Sequence, residues 1–143
     1  MNTCSTALEM DKEYKELIRI FRNGHSRKVY DPLNKEITNI LFKLGIKSSL
    51  KGFKLLRTAI KMAVTDDSYL DVMTKVFYPD IAKEHQTTSD RVERSIRHAI
   101  KSIDRDNKFL LEIFPDERKE FSNKEFISSI VEYMNVNCEG SLN

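Results

Sequence analysis

Residues 79–105 read PDIAKEHQTTSDRVERSIRHAIKSIDR. Within them Arg91, Arg94, Arg97, His98, Lys101 and Arg105 recur at spacings of three and four. At about 100° per residue these side chains share roughly a third of a helix circumference. Val92, Ile96, Ala99, Ile100 and Ile103 fall on the opposite side. A helix of this kind buries one face and offers a row of cations on the other. Upstream, Pro79-Asp80-Ile81-Ala82-Lys83-Glu84-His85-Gln86 predicts a short helix, followed by a tight turn over Gln86 to Thr88. Pro79 suits a first helical position, where its missing N–H would have no partner. Thr87, with Asp90 three residues on, reads as the capping pair that starts the basic helix. Two helices joined by such a turn, the second basic outside, form a helix-turn-helix.

The packing residues agree. Ala82 is small where the helices must cross, and Val92 and Ile96 are apolar on the facing side. The turn asks for a residue that tolerates positive φ, a role in which Gln86 is a mediocre choice. A basic stripe alone reads more readily as a solvated helix face; the short helix, the cap and the packing set turn the balance to the motif. Glu93 has two readings. It is an ion-pair partner for Arg94 or Arg97, or a carboxylate that accepts from cytosine N4 while arginine reads guanine O6 and N7.

The rest of the chain is helical by pattern. Residues 8–22 put Tyr14, Leu17, Ile18 and Phe21 on one face, and residues 25–33 read as a linker containing Asp31-Pro32. Helices are expected over about 34–44, with Ile37, Ile40, Leu41 and Leu44 inward, and about 48–64, with Phe53, Leu56, Ala59, Ile60 and Ala63 inward. A third runs from Asp66 or Asp67 to about Tyr78, burying Leu70, Met73, Val76 and Phe77. Beyond Arg105, helices are expected over about 107–114 and 123–135, the latter capped by Ser122 or Asn123. The expectation is an all-α fold with residues 1–33 as an N-terminal helix and linker and residues 34–143 as one helix-turn-helix domain.

At 143 residues, 40% apolar and 32% charged, the composition is that of a globular domain able to bury a real core. The net charge of +2 says little, but its distribution says more. Residues 34–78 carry eight Lys or Arg against four acids, and residues 106–143 four against eight. A nucleic-acid face should therefore come from about 47–105, since the acidic end would repel phosphate. Lys47, Lys51, Lys54, Arg57 and Lys61 form a second cationic row, mostly solvated, with Lys51 the candidate for phosphate contact. No membrane span or secretory signal is visible. Cys4 and Cys138 are too few for a disulfide framework, so a cytoplasmic protein is the plain reading. His25, His85 and His98 have no metal-ligand spacing, and His85 reads as a helix C-cap. With no phosphate loop and no nucleophile–base pair, nothing points to an enzyme or to a cofactor.

Three runs extend the argument: Lys51-Gly52-Phe53-Lys54-Leu55-Leu56-Arg57-Thr58-Ala59-Ile60, Thr74-Lys75-Val76-Phe77-Tyr78-Pro79-Asp80-Ile81-Ala82-Lys83, and residues 87–100. Together with Asn123-Lys124-Glu125-Phe126-Ile127, they resemble the carboxyl-terminal DNA-binding effector domain of the stage-zero sporulation response regulator of spore-forming Firmicutes. The likeness covers about 34–136. It implies a six-helix domain that binds TTCGACA-type elements on duplex DNA, often as tandem copies. By the same resemblance, the helix matching 88–103 enters the major groove. Glu93, Arg94 and Arg97 would then read bases, with Arg91, His98 and Lys101 nearer phosphate. Two departures stand out. The family regulator carries a phosphorylatable receiver domain, for which residues 1–33 leave no room, and the acidic end differs from the family's tail. The expected function is a sequence-specific transcription regulator, self-associating as a homodimer through residues 8–22 or packing that helix on its own domain. The alternative is a protein-binding modulator of a related regulator.

Overall fold

The computed structural model describes residues 31–114 and 120–142, with side chains to residue 137. The expected helix at 8–22, Cys4 and His25 lie outside the described residues, as does the Cys138 side chain. Six α-helices occur among the described residues: α1 (Pro32–Lys43), α2 (Lys51–Thr65), α3 (Tyr78–Glu84), α4 (Ser89–Lys101), α5 (Lys108–Ile113) and α6 (Asn123–Leu142). No strand occurs among them. The all-α fold is as expected. Its apolar stripes converge on one core containing Ile37, Leu41, Leu56, Ile60, Phe77, Ile81, Ile96, Phe126, Ile127 and Ile130.

Local chemistry fixes most helix ends. Asp31-Pro32, read above as linker, instead opens α1: Asp31 Oδ1 accepts from the Asn34 N–H at 3.1 Å, and Pro32 takes the first turn. At the far end, Gly45 adopts φ 79°. This left-handed residue lets the Gly45 and Ile46 N–H groups donate back to Phe42 O (2.9 Å) and Leu41 O (3.1 Å), satisfying carbonyls that the ending helix would otherwise orphan. For α6 the cap is Ser122 and not Asn123. Ser122 Oγ accepts from the Glu125 N–H (3.1 Å) while the Glu125 carboxylate accepts from the Ser122 N–H (3.2 Å), a reciprocal capping box.

The expected helix over 66–78 is corrected. Asp67–Asp71 is a 3₁₀ turn, Val72 breaks the run at φ −133°, and Met73–Phe77 is wound as a π-helix leading into α3. Leu70 and Phe77 are buried as expected, but Val76 is 39% exposed and Met73 only partly covered. Pro79 gives a physical reason. Its ring would press on the carbonyl four residues back in a tight α-turn, and π winding moves that carbonyl away.

The helix-turn-helix is α3 and α4, with Ala82, Val92 and Ile96 all buried at their crossing. Its turn repeats the Gly45 device with a non-glycine: Gln86 sits at φ 54°. The Thr87 N–H donates to Ala82 O at 2.9 Å and the Gln86 N–H to Lys83 O at 3.4 Å. Thr88 then caps α4 by accepting from the Arg91 N–H at 3.3 Å, one residue later than the expected Thr87 cap. Left-handed backbone costs an L-residue about 1–2 kcal/mol, and glycine escapes it at some loss of chain entropy. Gln86→Gly is therefore expected to stabilise the fold by about 0.5–1 kcal/mol, read from urea midpoints at constant m. An unchanged or lower midpoint would show that the glutamine side chain contributes something its exposure hides.

Helix α2 crosses α4 at unusually close range. A Cβ built on Gly52 would lie 2.1 Å from Ser95 O and 2.8 Å from the Ala99 Cβ. This contact seats α4 against α2. Helix α6 closes the other side, with Phe126 stacked near Phe114 at 5.7 Å between centroids.

Candidate nucleic-acid interface

Helix α4 presents Arg91, Arg94, Arg97, His98 and Lys101 as exposed side chains, with Glu93 half-buried. Its buried face is Val92, Ile96, Ala99 and Ile100, so the sequence stripe and the observed faces coincide. The end is trimmed: α4 stops at Lys101, and Ile103 and Arg105 lie beyond it. Arg105 instead places its guanidinium 5.3 Å from the Phe121 ring centroid. Asp90 in the first turn and His98 and Lys101 in the last both match the helix dipole.

Two grooves flank this helix. The first lies towards α2 and is lined by Ser48, Ser49, Lys51, Lys54, Arg91 and Arg94, among others. Lys51 and Lys54 come from α2, and Arg91 and Arg94 from α4. Four cations from two elements thus face one cleft, a setting in which an anion would gain from all of them. Lys51 therefore stands beside α4, although nothing in its periodicity relates it to Arg91. Lys54 was not singled out from the second cationic row; only its shared cleft with Arg94 marks it.

The remainder of that row does other things. Arg57 donates to Thr38 Oγ1 at 3.1 Å and lies over the Phe53 ring, and Lys61 forms an ion pair with Asp31, the α1 cap. Both tie α2 to α1. His85 ends α3 as expected, its backbone N–H donating to Ile81 O, and its Nε2 lies 2.7 Å from Thr58 Oγ1. The turn of the motif is thus pinned to α2 by a hydrogen bond.

The second groove lies towards α6 and carries Glu93, Arg97, Lys101 and Arg105 on one side, with Phe121, Asn123 and Lys124 opposite. Here the two readings of Glu93 meet. Its carboxylate is ion-paired with Arg97 one helical turn on. The side chains are 35% and 47% exposed, so the pair remains open to exchange of partners. Arg94 belongs to the other groove and is not the partner.

Sequence reasoning missed the residue beneath this groove. Asn123 is 8% exposed, the single buried polar residue among the described ones. Its Nδ2 donates to Tyr78 Oη at 3.0 Å and to the Glu93 carbonyl at 3.1 Å. Tyr78 and Phe77 fill core, as expected. Burial pushes the Tyr78 hydroxyl above the ordinary tyrosine range, and the bond from Asn123 partly offsets this. The usable signal was the Ser122-x-x-Glu125 spacing: it gives the cap to Ser122 and leaves Asn123 for another task.

Among the described residues no cluster of His, Cys, Asp or Glu could hold a metal ion. None of the described helices is long and apolar enough to cross a membrane. Compared with known families, residues 37–134 match the model described as "Sporulation initiation factor Spo0A C terminal".

Proposed function

From the premise that this chain belongs to the family of the Spo0A C-terminal, DNA-binding sporulation factor domain, we propose that it is a sequence-specific transcription regulator of double-stranded DNA. It acts in the cytoplasm. Helix α4 enters the major groove; Glu93, Arg94 and Arg97 read base edges, and Arg91, His98, Lys101 and Lys51 contact phosphate. The DNA is a short TTCGACA-like element, taken in tandem.

One observation carries this reading. An exposed cationic helix stands between two grooves, and the groove towards α2 adds Lys51 and Lys54 to Arg91 and Arg94. A duplex laid across α4 would bring phosphates to that cleft while the ridge of the helix meets base edges. Arginine suits the ridge because its planar fork matches guanine O6 and N7. Lysine suits the cleft because phosphate asks only for charge. A single helix makes few base contacts, so tandem binding raises affinity without new chemistry. Self-association through residues 8–22 would serve this, and light scattering of the chain begun at Asp31 tests it: an unchanged oligomeric state sinks that idea.

The test of the main reading is fluorescence anisotropy with a duplex carrying tandem TTCGACA-like elements and a scrambled duplex, across salt concentrations. Preference for the element is expected, with affinity falling as salt rises because phosphate contacts release counterions. Lys51→Ala should weaken binding to both duplexes alike and reduce the salt slope by about 1. Equal binding to both duplexes would reduce the function to phosphate attraction. No binding at low salt would favour the protein-binding modulator, acting through the amino-terminal helix or the acidic end of the chain.

A further inference from the structure

One side-chain amide joins three helices of the domain. Asn123 is the first residue of α6, Tyr78 the first of α3, and Glu93 lies in the second turn of α4. The two Nδ2 hydrogens of Asn123 reach Tyr78 Oη at 3.0 Å and the Glu93 carbonyl at 3.1 Å. Both ends of this clasp are rigid. The Ser122–Glu125 capping box fixes the start of α6. The Tyr78 ring, 8% exposed, stacks against Phe77 at 15° and 6.3 Å between centroids.

Glu93 is where the clasp meets the reading face. Its carbonyl is held from below while its carboxylate pairs with Arg97 above, and Arg94 follows it in sequence. Fixing that carbonyl limits rotation of α4 about its own axis. Side-chain tips ride about 6 Å from a helix axis, so a rotation of about 20° would carry them about 2 Å. A bidentate hydrogen bond to a base tolerates far less than that. Phosphate contacts made by flexible lysines do tolerate it.

We propose that Asn123 is a specificity-determining positioning residue: through Tyr78 and the Glu93 carbonyl it sets the rotation of the recognition helix. The assignment rests on the DNA reading above. Asn123 does not itself touch the duplex, and its effect falls on discrimination between sequences more than on general affinity.

The experiment compares the full chain with Asn123→Ala and Tyr78→Phe, well below their melting temperatures, on the element and scrambled duplexes. Asn123→Ala should lower element affinity by about tenfold, the scale of one uncompensated buried hydrogen bond, and leave scrambled-duplex affinity within about twofold. Tyr78→Phe should shift the ratio the same way by about threefold, because the amide loses one anchor while keeping the other. A lower melting temperature with an unchanged element-to-scrambled ratio would overturn the proposal, since a residue that only supports the fold gives that result. If Asn123→Ala fails to fold by circular dichroism, Tyr78→Phe alone decides, and its unchanged ratio is equally fatal. A wild-type chain without preference would overturn the DNA reading itself, and this inference with it.

Discussion

Arg94→Ala should lower affinity for the element-bearing duplex by about 1–3 kcal/mol, roughly 5- to 150-fold, and leave the scrambled duplex much less affected. The physical ground is the place of Arg94 on α4. It is exposed on the ridge and contributes to the groove shared with Lys51 and Lys54. Unlike Arg97, it is not the partner of Glu93, so on the proposed reading its guanidinium would meet a base without first surrendering that ion pair. Truncation to alanine removes both N–H bonds of a bidentate contact and leaves the base edge unpaired. The measurement is the anisotropy titration described above, at one salt concentration for both duplexes. Arg94→Lys sharpens it, because lysine keeps the charge and loses the fork. If Arg94→Lys restores full preference, charge and not base geometry is the source of discrimination.

The second large effect is on the fold. Gly52→Ala should cost about 3 kcal/mol or more, at the upper end of overpacking substitutions. The added methyl would come 2.1 Å from the Ser95 carbonyl and 2.8 Å from the Ala99 methyl, well inside any real contact. A backbone carbonyl in the middle of α4 cannot swing aside as a side-chain tip would. Either α2 and α4 separate, opening the core around Leu56 and Ile96, or the domain loses stability. For a domain of this size the melting temperature should fall by about 10 °C or more. Where the protein still folds, sequence discrimination should fall as well, because α2 is one of the walls that seat α4. An alanine variant with wild-type melting temperature would mean that the two helices have slack this geometry denies.

The roles of Gly52 and Asn123 also mark what a single sequence does not disclose. Apolar stripes such as Ile37/Ile40/Leu41 and Phe126/Ile127/Ile130 were legible because burial repeats with the helical period. So was the outer face of α4, where five basic residues, Arg91, Arg94, Arg97, His98 and Lys101, recur at the helical spacing. The segment from Asp66 to Tyr78 was not. Leu70 and Phe77 suit an α-helix by spacing, and the same spacing survives in a 3₁₀ turn followed by a π-turn. Only the Pro79 ring hints at the change, and a proline there is equally a start signal for the next helix. The convergence of Lys51 with Arg91 and Arg94, the Gly52 crossing and the Asn123 clasp are all tertiary. Each depends on which helix lies beside which, and no local pattern carries that. Asn123 was harder still, because a polar residue at a helix start ordinarily serves as its cap.

The exposed Glu93–Arg97 pair has a kinetic consequence. An open pair at this helical spacing is worth about 0.3–0.5 kcal/mol, less than thermal energy. On the proposed reading, a domain that slides along random duplex therefore has this pair opening and closing continually, and the right bases take up its side chains at almost no cost. The pair then adds no roughness to the search. Single-molecule tracking of Glu93→Gln on nonspecific DNA would expose a hidden cost as slower diffusion of the variant. Equal diffusion coefficients would mean that scanning and reading are separable in this domain.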